Sequence, residues 1–267
     1  MIRSPISRRR TWFLGAVSVG LLLAGYTFLS HRQHQVNPND KTIPTWSQFK
    51  TGIVRMCEAH KRTGERWIVE DAKATAGRLF SGLGLGVLGA VVLGVLMGCF
   101  RSVEAFLAPP LQFLAKVPPT AALAVFFVLA GTGFRMYVAM IAFGVLPSMA
   151  QAVYLSVKDV PDELLHKSYT LGASHTEVIW NIIVRQVLPP MMDAIRLQIG
   201  PAIVYLIAAE WLVGDVGFGF RIKMQQRLTN MNVVYPYLVL LGGFGFGMDY
   251  VMRLLQRWWC PWYRKAV

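Results

Sequence analysis

The pattern with the most chemical promise is Gly84-Leu85-Gly86-Val87-Leu88-Gly89, the GxGxxG spacing that brings a backbone close to a dinucleotide pyrophosphate. That chemistry needs a strand before the glycines and a helix start after them. Here the motif lies inside an uncharged apolar run from Leu79 to Phe100, and Gly82, Gly94 and Gly98 continue the series. Gly82/Gly86 and Gly94/Gly98 stand four apart, the spacing that lets membrane helices approach closely, so the glycines read as helix packing. No GxxxxGK[ST] loop is present to cradle ATP phosphates, and no GxSxG elbow to carry a nucleophile. Cys57, Cys99 and Cys260 form neither a CxxC pair nor a metal-ligand spacing, and Cys99 reads as packing. His31, His34 and His166 read as surface groups. Glu58, Glu65, Glu70 and Asp71 fall in a polar stretch and read as a solvated face rather than an acid/base pair. The sequence offers no catalytic or metal site, and an enzyme is not expected.

The elements that would position any site are apolar helices. The 267 residues are 54% hydrophobic and 15% charged, with a mean hydropathy of +0.44, too apolar for an ordinary soluble domain. Crossing a bilayer takes about 20 residues of helix. Runs of that kind are expected over Thr11–Ser30, Leu79–Phe100, Val117–Phe134, Met136–Val157, Leu197–Val213 and Val233–Met252. The result is an all-α membrane protein with six transmembrane helices. The third run has an irregular entry at Lys116 and Pro118-Pro119, the fourth is expected to kink near Pro147, and the fifth is interrupted by Glu210. Arg8-Arg9-Arg10 before the first run resembles a signal peptide, but the run is near spanning length and no small-x-small cleavage site follows, so a retained helix is expected.

The net charge of +13 does not point to nucleic acid, because the basic residues lie between or beyond the apolar runs and no basic stretch carries interleaved stacking aromatics. Four regions follow: residues 1–32, an N-terminus and first helix; 33–78, an extramembrane loop with one or two amphipathic helices; 79–252, a spanning core; and 253–267, a tail. The tail sets Arg253, Arg257, Arg264 and Lys265 among Trp258, Trp259, Trp262 and Tyr263, a mixture suited to a headgroup boundary. Charge does not fix the orientation. The arginines before the first helix favour a cytoplasmic N-terminus, yet the loop that this places outside carries Arg55, Lys61, Arg62, Arg66, Lys73 and Arg78.

The polar stretch over 158–187 is the informative one. Val160-Pro161-Asp162 suits a helix start, with Asp162 and Glu163 in the first turn where the dipole favours acids. Leu164, Leu165, Ser168 and Leu171 share one face, and Gly172 can end the helix with positive φ. A second amphipathic segment follows, apolar at Val178, Ile179, Ile182 and Ile183. Two short helices meeting at a glycine make a compact knob at the membrane surface; a plain interfacial linker would share the same composition.

This stretch resembles the cytoplasmic coupling loop, the "EAA" loop, of binding-protein-dependent ABC importer permeases. Their pattern runs E-A-A, three residues, G, nine residues, I, one residue, L-P. Gly172 and Ile182 fit the glycine and isoleucine, whereas His166-Lys167-Ser168 replaces E-A-A, Val184-Arg185 replaces L-P, and Leu188-Pro189 comes four residues late. The likeness runs over roughly residues 35 to 263. Pro118-Pro119-Thr120-Ala121-Ala122-Leu123, Ala173-Ser174, Arg196, Ala208-Ala209-Glu210 and Gly217-Phe218-Gly219-Phe220 look like the nitrate/sulfonate/taurine branch. Asn37-Pro38-Asn39-Asp40-Lys41 and Arg62-Thr63-Gly64 look like a subgroup tied to urea- or guanidine-type nitrogen metabolism.

The resemblance implies the type I ABC importer permease fold, a bacterial inner-membrane location with both termini cytoplasmic, and a periplasmic first loop. It implies a permease homodimer, an ABC ATPase subunit docked on the loop, and a periplasmic solute-binding protein. ATP and Mg would belong to the ATPase, leaving this chain without a cofactor. ATPase coupling would fall to Glu163, His166, Lys167, Ser168, Gly172, Ala173, Ser174 and Ile182. The translocation path would include Arg196, Gln198 and Glu210, ionisable or polar groups in or beside the fifth span, where lipid disfavours them. Arg196 suits an anionic solute or, equally, a headgroup boundary. A secondary transporter should show internal repeats, and none stands out. A membrane component driven by an ATPase through another type of coupling helix, or a membrane scaffold without transport, would share the apolar runs but not these motifs.

Overall fold

The computed structural model describes residues 6–38, 40–58, 64 and 66–263. Asn39, Lys61, Arg62, Thr63, Glu65, Arg264 and Lys265 lie outside the described residues. The described chain divides into two units, Met1–Trp67 with Met224–Leu238 and Ile68–Lys223 with Val239–Val267.

In the first unit, α1 (Arg8–Val36) is a 29-residue helix exposed along nearly its whole length, as a lipid-facing helix would be. Near its end Ser30 is buried and donates to the Pro44 carbonyl at 3.2 Å, and the Tyr26 hydroxyl donates to the same oxygen at 2.6 Å. α2 (Trp46–Cys57) starts at a capping box, with Thr45 Oγ1 accepting from the Gln48 amide and Gln48 Oε1 from the Thr45 amide. Among the described residues, one amphipathic helix therefore lies wholly within the expected loop. Before it, Asp40 accepts from Thr42 Oγ1 at 2.6 Å, and that hydrogen bond is the main cause holding its carboxyl below the usual range.

The second unit is built around α6 (Phe134–Lys158), which runs through Pro147 uninterrupted and buries Met136, Met140, Ile141, Val145, Met149, Ala150 and Val153 completely. α3 (Trp67–Cys99) lies along it through a glycine stripe. A Cβ at Gly82 would strike Ile141, one at Gly86 would press Ala142 and Val145, and those at Gly94 and Gly98 would strike Val153 and Val157. The GxGxxG match is thus a packing surface; Gly84, on another face, has nothing near it. Cys99 packs against this core, as expected.

α3 also starts twelve residues before the uncharged apolar run that begins at Leu79, so the loop expected to reach residue 78 ends before Trp67. Glu70 is exposed, but Asp71 is fully buried and Arg78 nearly so, which corrects their assignment to a solvated face and to loop charge. α4 (Arg101–Leu114) contains Pro109 and Pro110. It ties to α6 through Glu104, which accepts from Tyr154 Oη at 2.5 Å and pairs with Lys158 Nζ at 2.9 Å.

The third expected crossing, over 117–134, is where the structure departs most. α5 (Leu123–Ala130) has eight residues, about 12 Å of helix, preceded by turns over 115–122. Pro118 and Pro119 supply no amide hydrogens, and Pro118 disfavours helix at the residue before it. Five described helices are long and apolar enough to span a membrane: α1, α3, α6, the run His175–Val213, and α11 (Met231–Trp259). Only α5 stands where the remaining crossing was expected, with α4 ending before it at Leu114.

Candidate functional site

α7 (Asp162–Thr170) follows Pro161 and buries none of its residues. Its end is a Schellman motif: the Ala173 amide donates to Ser168 O at 3.1 Å and the Gly172 amide to Tyr169 O at 3.0 Å. Gly172 sits at φ +82° with open space around the position of a Cβ, so the backbone conformation, and no neighbouring atom, calls for glycine there. Two residues on, Ser174 caps α8 (His175–Val178): its Oγ accepts from the Glu177 amide, and Glu177 Oε2 accepts from the Ser174 amide at 2.8 Å. Tyr169 Oη and His175 Nδ1 lie 3.0 Å apart across the turn. The amides of Leu171, Gly172, Ala173 and Ser174 are thus all hydrogen-bonded within the turn.

α8 is not the second short helix expected. It passes through a π turn at Ile179–Ile183 into α9 (Val184–Val213), giving one 39-residue run from His175 to Val213. Val178 and Ile183 are buried in the core and Leu165 packs against it, whereas Leu164 and Leu171 face outward. Ile182 also packs on the core, while Glu163, His166, Lys167 and Ser168 are exposed or half-exposed on α7. Under α7 is a cavity of about 220 Å³ bordered by Lys158, Asp162, Tyr169 and His175.

Arg196, on α9, is paired. Its Nε donates to Asp249 Oδ1 at 2.7 Å and its Nη1 to Asp193 Oδ1 at 2.9 Å, and Arg253 Nε donates to the other Asp249 oxygen at 2.8 Å. These bonds tie α9 to α11 and engage two of the five guanidinium N–H donors, so an anion approaching Arg196 would meet two carboxylates already beside it. Gln198 is half-buried on α9.

Glu210 is fully buried and surrounded by donors. Thr75 Oγ1 lies 2.9 and 3.1 Å from its two oxygens, Arg78 Nη1 donates to Oε1 at 2.9 Å, and the Gly219 amide donates to Oε2 at 2.9 Å. Arg78 also donates to Val216 O at 2.7 Å and stacks 4.1 Å from the Tyr137 ring centroid. Beside it, Asp71 accepts from the Gly217 amide at 3.1 Å and from Arg221 Nε at 2.8 Å. This clasp fixes the bend between α9 and α10 (Phe218–Arg227) against α3. A Cβ on Gly217, at φ +120°, would meet the Glu210 carboxyl, and one on Gly219 would meet Ile207 O, which explains Gly217-Phe218-Gly219. A buried carboxylate needs such partners, since an unpaired one costs several kcal/mol, on the order of 3–5. Sequence reasoning missed Asp71, Thr75, Arg78 and Arg221. Their signal was the phase: 71, 75 and 78 repeat at helical spacing and run directly into the Gly82/Gly86 stripe.

Long apolar helices packed by small residues, with an exposed and self-capped helix joined rigidly to one of them, define a polytopic membrane permease of the type I importer fold. The same fold is found in the MetNI methionine ABC transporter, solved in inward-facing conformations. It matches with a TM-score of 0.63 and 19% identity over 75% of this chain and 99% of that one. The model of the family described as "Binding-protein-dependent transport system inner membrane component" matches residues 86–259, and the chain belongs to that family. Curated relatives include a probable ABC transporter permease protein of Brucella abortus (strain 2308), 28% identical over 74% of this chain and 80% of its own length. Another is the taurine transport system permease protein TauC of Escherichia coli (strain K12), 26% identical over 72% and 70%. The chain is therefore an integral membrane transport component of an ABC importer, not an enzyme.

Proposed function

We propose that the chain forms the translocation path of an importer for a small anionic or zwitterionic solute of the sulfonate or taurine type. It works as a homodimer, receives solute from a periplasmic binding protein, and is driven by a separate ABC ATPase docked on the 158–187 loop. ATP and Mg reside on that ATPase. Both termini and the loop are cytoplasmic, and the segment around Gly64 is periplasmic. The solute class rests on the taurine permease relative.

The observation that carries the reading is the unbroken mechanical path from α7 to α9. The Gly172, Ala173 and Ser174 amides are bonded within the turn, so the exposed side chains of Glu163, His166 and Lys167 are left for a partner, with half-exposed Ser168 beside them donating its hydroxyl to Leu164 O. Displacement of α7 passes through Ala173, Ser174 and the Ile182-bearing turn to α9, because a rigid body transmits motion that a flexible linker would absorb. ATP-driven closure of the ATPases then opens the path outward, and hydrolysis resets it.

Gly172→Val tests this. Any residue with a Cβ pays about 1–2 kcal/mol for positive φ, and a β-branched one most. The variant should insert normally yet lose binding-protein-stimulated uptake in proteoliposomes, with Gly172→Ala milder and Gly172→Asn milder still. Normal uptake with valine would reduce the loop to a linker. Orientation is tested in intact cells: a cysteine introduced near Gly64 should label from outside, and one near Ser174 should not.

A further inference from the structure

We infer that α2 is a membrane-surface helix whose outer apolar stripe is seated in lipid at the headgroup boundary. The first support is its sidedness. Gln48, Phe49, Gly52 and Met56 face its own unit, while Ser47, Thr51, Arg55 and Glu58 make an exposed polar face. Between these lies a third stripe of Trp46, Lys50, Ile53, Val54 and Cys57, spanning about 100° of arc at 3.6 residues per turn. Trp46, Ile53 and Val54 on it are 48%, 44% and 52% exposed, although the helix packs closely on its other side.

The second support is the level at which α2 is fixed. Trp46 Nε1 donates to Thr27 Oγ1 at 3.0 Å, and the Trp46 ring meets Tyr26 edge-on at 5.3 Å. Thr27 is three residues before Ser30, where the apolar run of α1 ends. Six residues along α2, a Cβ on Gly52 would strike the Asn232 carbonyl, one residue before the apolar run of α11 begins at Val233. Tyr26 and Tyr235 join the same two helices, with ring centroids 6.0 Å apart. α2 is therefore pinned at two points about 9 Å apart along its axis, each at the end of a spanning segment. A helix held at the boundary level at both points lies along the membrane surface. Its free stripe then has the composition of an interfacial helix: tryptophan at one end, branched aliphatics in the middle, and Lys50 set to meet anionic phosphates. A different occupant, the soluble binding protein, has no such reason to match the two pinning levels.

The test uses the full chain with its ATPase in vesicles of phosphatidylethanolamine and phosphatidylglycerol. Cys57 already lies on the stripe and is exposed. In a background with Cys99 and Cys260 replaced, an environment-sensitive fluorophore is placed on Cys57, on Val54→Cys or on Thr51→Cys, with Cys57 replaced in the last two. Positions 54 and 57 should emit at shorter wavelength than 51 and be quenched severalfold more by a lipid-borne nitroxide than by aqueous iodide, with the order reversed at 51. Equal iodide quenching at 54 and 51 would overturn the assignment. So would protection of 54 only on adding loaded binding protein, which would make the stripe that protein's dock. Ile53→Ser leaves the inward face intact and should shift the emission at 54 toward that at 51; an unchanged emission would count against lipid seating.

Discussion

The 158–187 loop and the Glu210 clasp are both built around glycines with positive φ, yet they satisfy opposite demands. At Gly172 the backbone closes its own hydrogen bonds, and the side chains of α7 stay in the open. At Gly217 the side chains of Asp71, Thr75, Arg78 and Glu210 are consumed internally, holding the bend after α9 through its amides. The first arrangement leaves polar side chains accessible without loosening the backbone. The second spends its buried polar side chains on position. A region whose side chains stay accessible and a region that holds its shape thus differ in where their hydrogen bonds end. The clasp stands at the end of the same 39-residue helical run that the loop begins.

The contrast can be broken first at Glu210. Glu210→Leu leaves Arg78 buried against Tyr137 without its carboxylate, and should destabilise the chain by about 3–5 kcal/mol. Thermal unfolding in detergent and the yield of folded protein measure this, and adding Arg78→Met should recover part of the loss through their coupling. If Glu210→Leu unfolds like the native chain, the clasp carries no structural weight. Gly217→Ala should come next, because it combines strained φ with a Cβ pressed on the Glu210 carboxyl; a loss of about 2 kcal/mol is expected from strain of this kind. The same readout checks it, and unchanged stability would mean that the bend relaxes at no cost.

On the loop, Ser174→Ala removes one cap and should lower stability by only about 1 kcal/mol, while reducing coupled uptake more than unfolding temperature. Equal losses in both would erase the distinction between the regions. The smallest stability effect belongs to Lys167→Ala, an exposed substitution expected within about 0.5 kcal/mol of zero. Its signature is instead weaker retention of the ATPase during co-purification. Retention at the native level would remove Lys167 from the docking surface.

The loop was legible because its determinants are local. Pro161, the acids after it and Gly172 act within a few residues, and each chooses a backbone conformation whatever the rest of the chain does; the Ser174/Glu177 capping box, equally local, was not read. The glycine stripe of α3 was legible for the same reason, since its four-residue spacing already states which face must be small. The breaks in helix continuity were harder. Leu188-Pro189-Pro190 was no stop, because α9 runs through all three of its prolines, whereas Pro118-Pro119 was a stronger one than expected. Two adjacent prolines remove two amide hydrogens in both places, and packing around the helix decides whether the remaining bonds survive.

By itself the sequence determined the all-α membrane class, the apolar runs, the surface loop and the family resemblance, since each follows from hydropathy, local spacing or short motifs. Only the tertiary structure decided that Asp71 and Arg78 are internal, that Glu210 is enclosed by donors, and that Arg196 already holds two carboxylates. The physical reason is range. Thr75 meets Glu210 across 135 positions and Arg221 meets Asp71 across 150, and a charge looks the same in sequence whether water or a distant carboxylate will neutralise it.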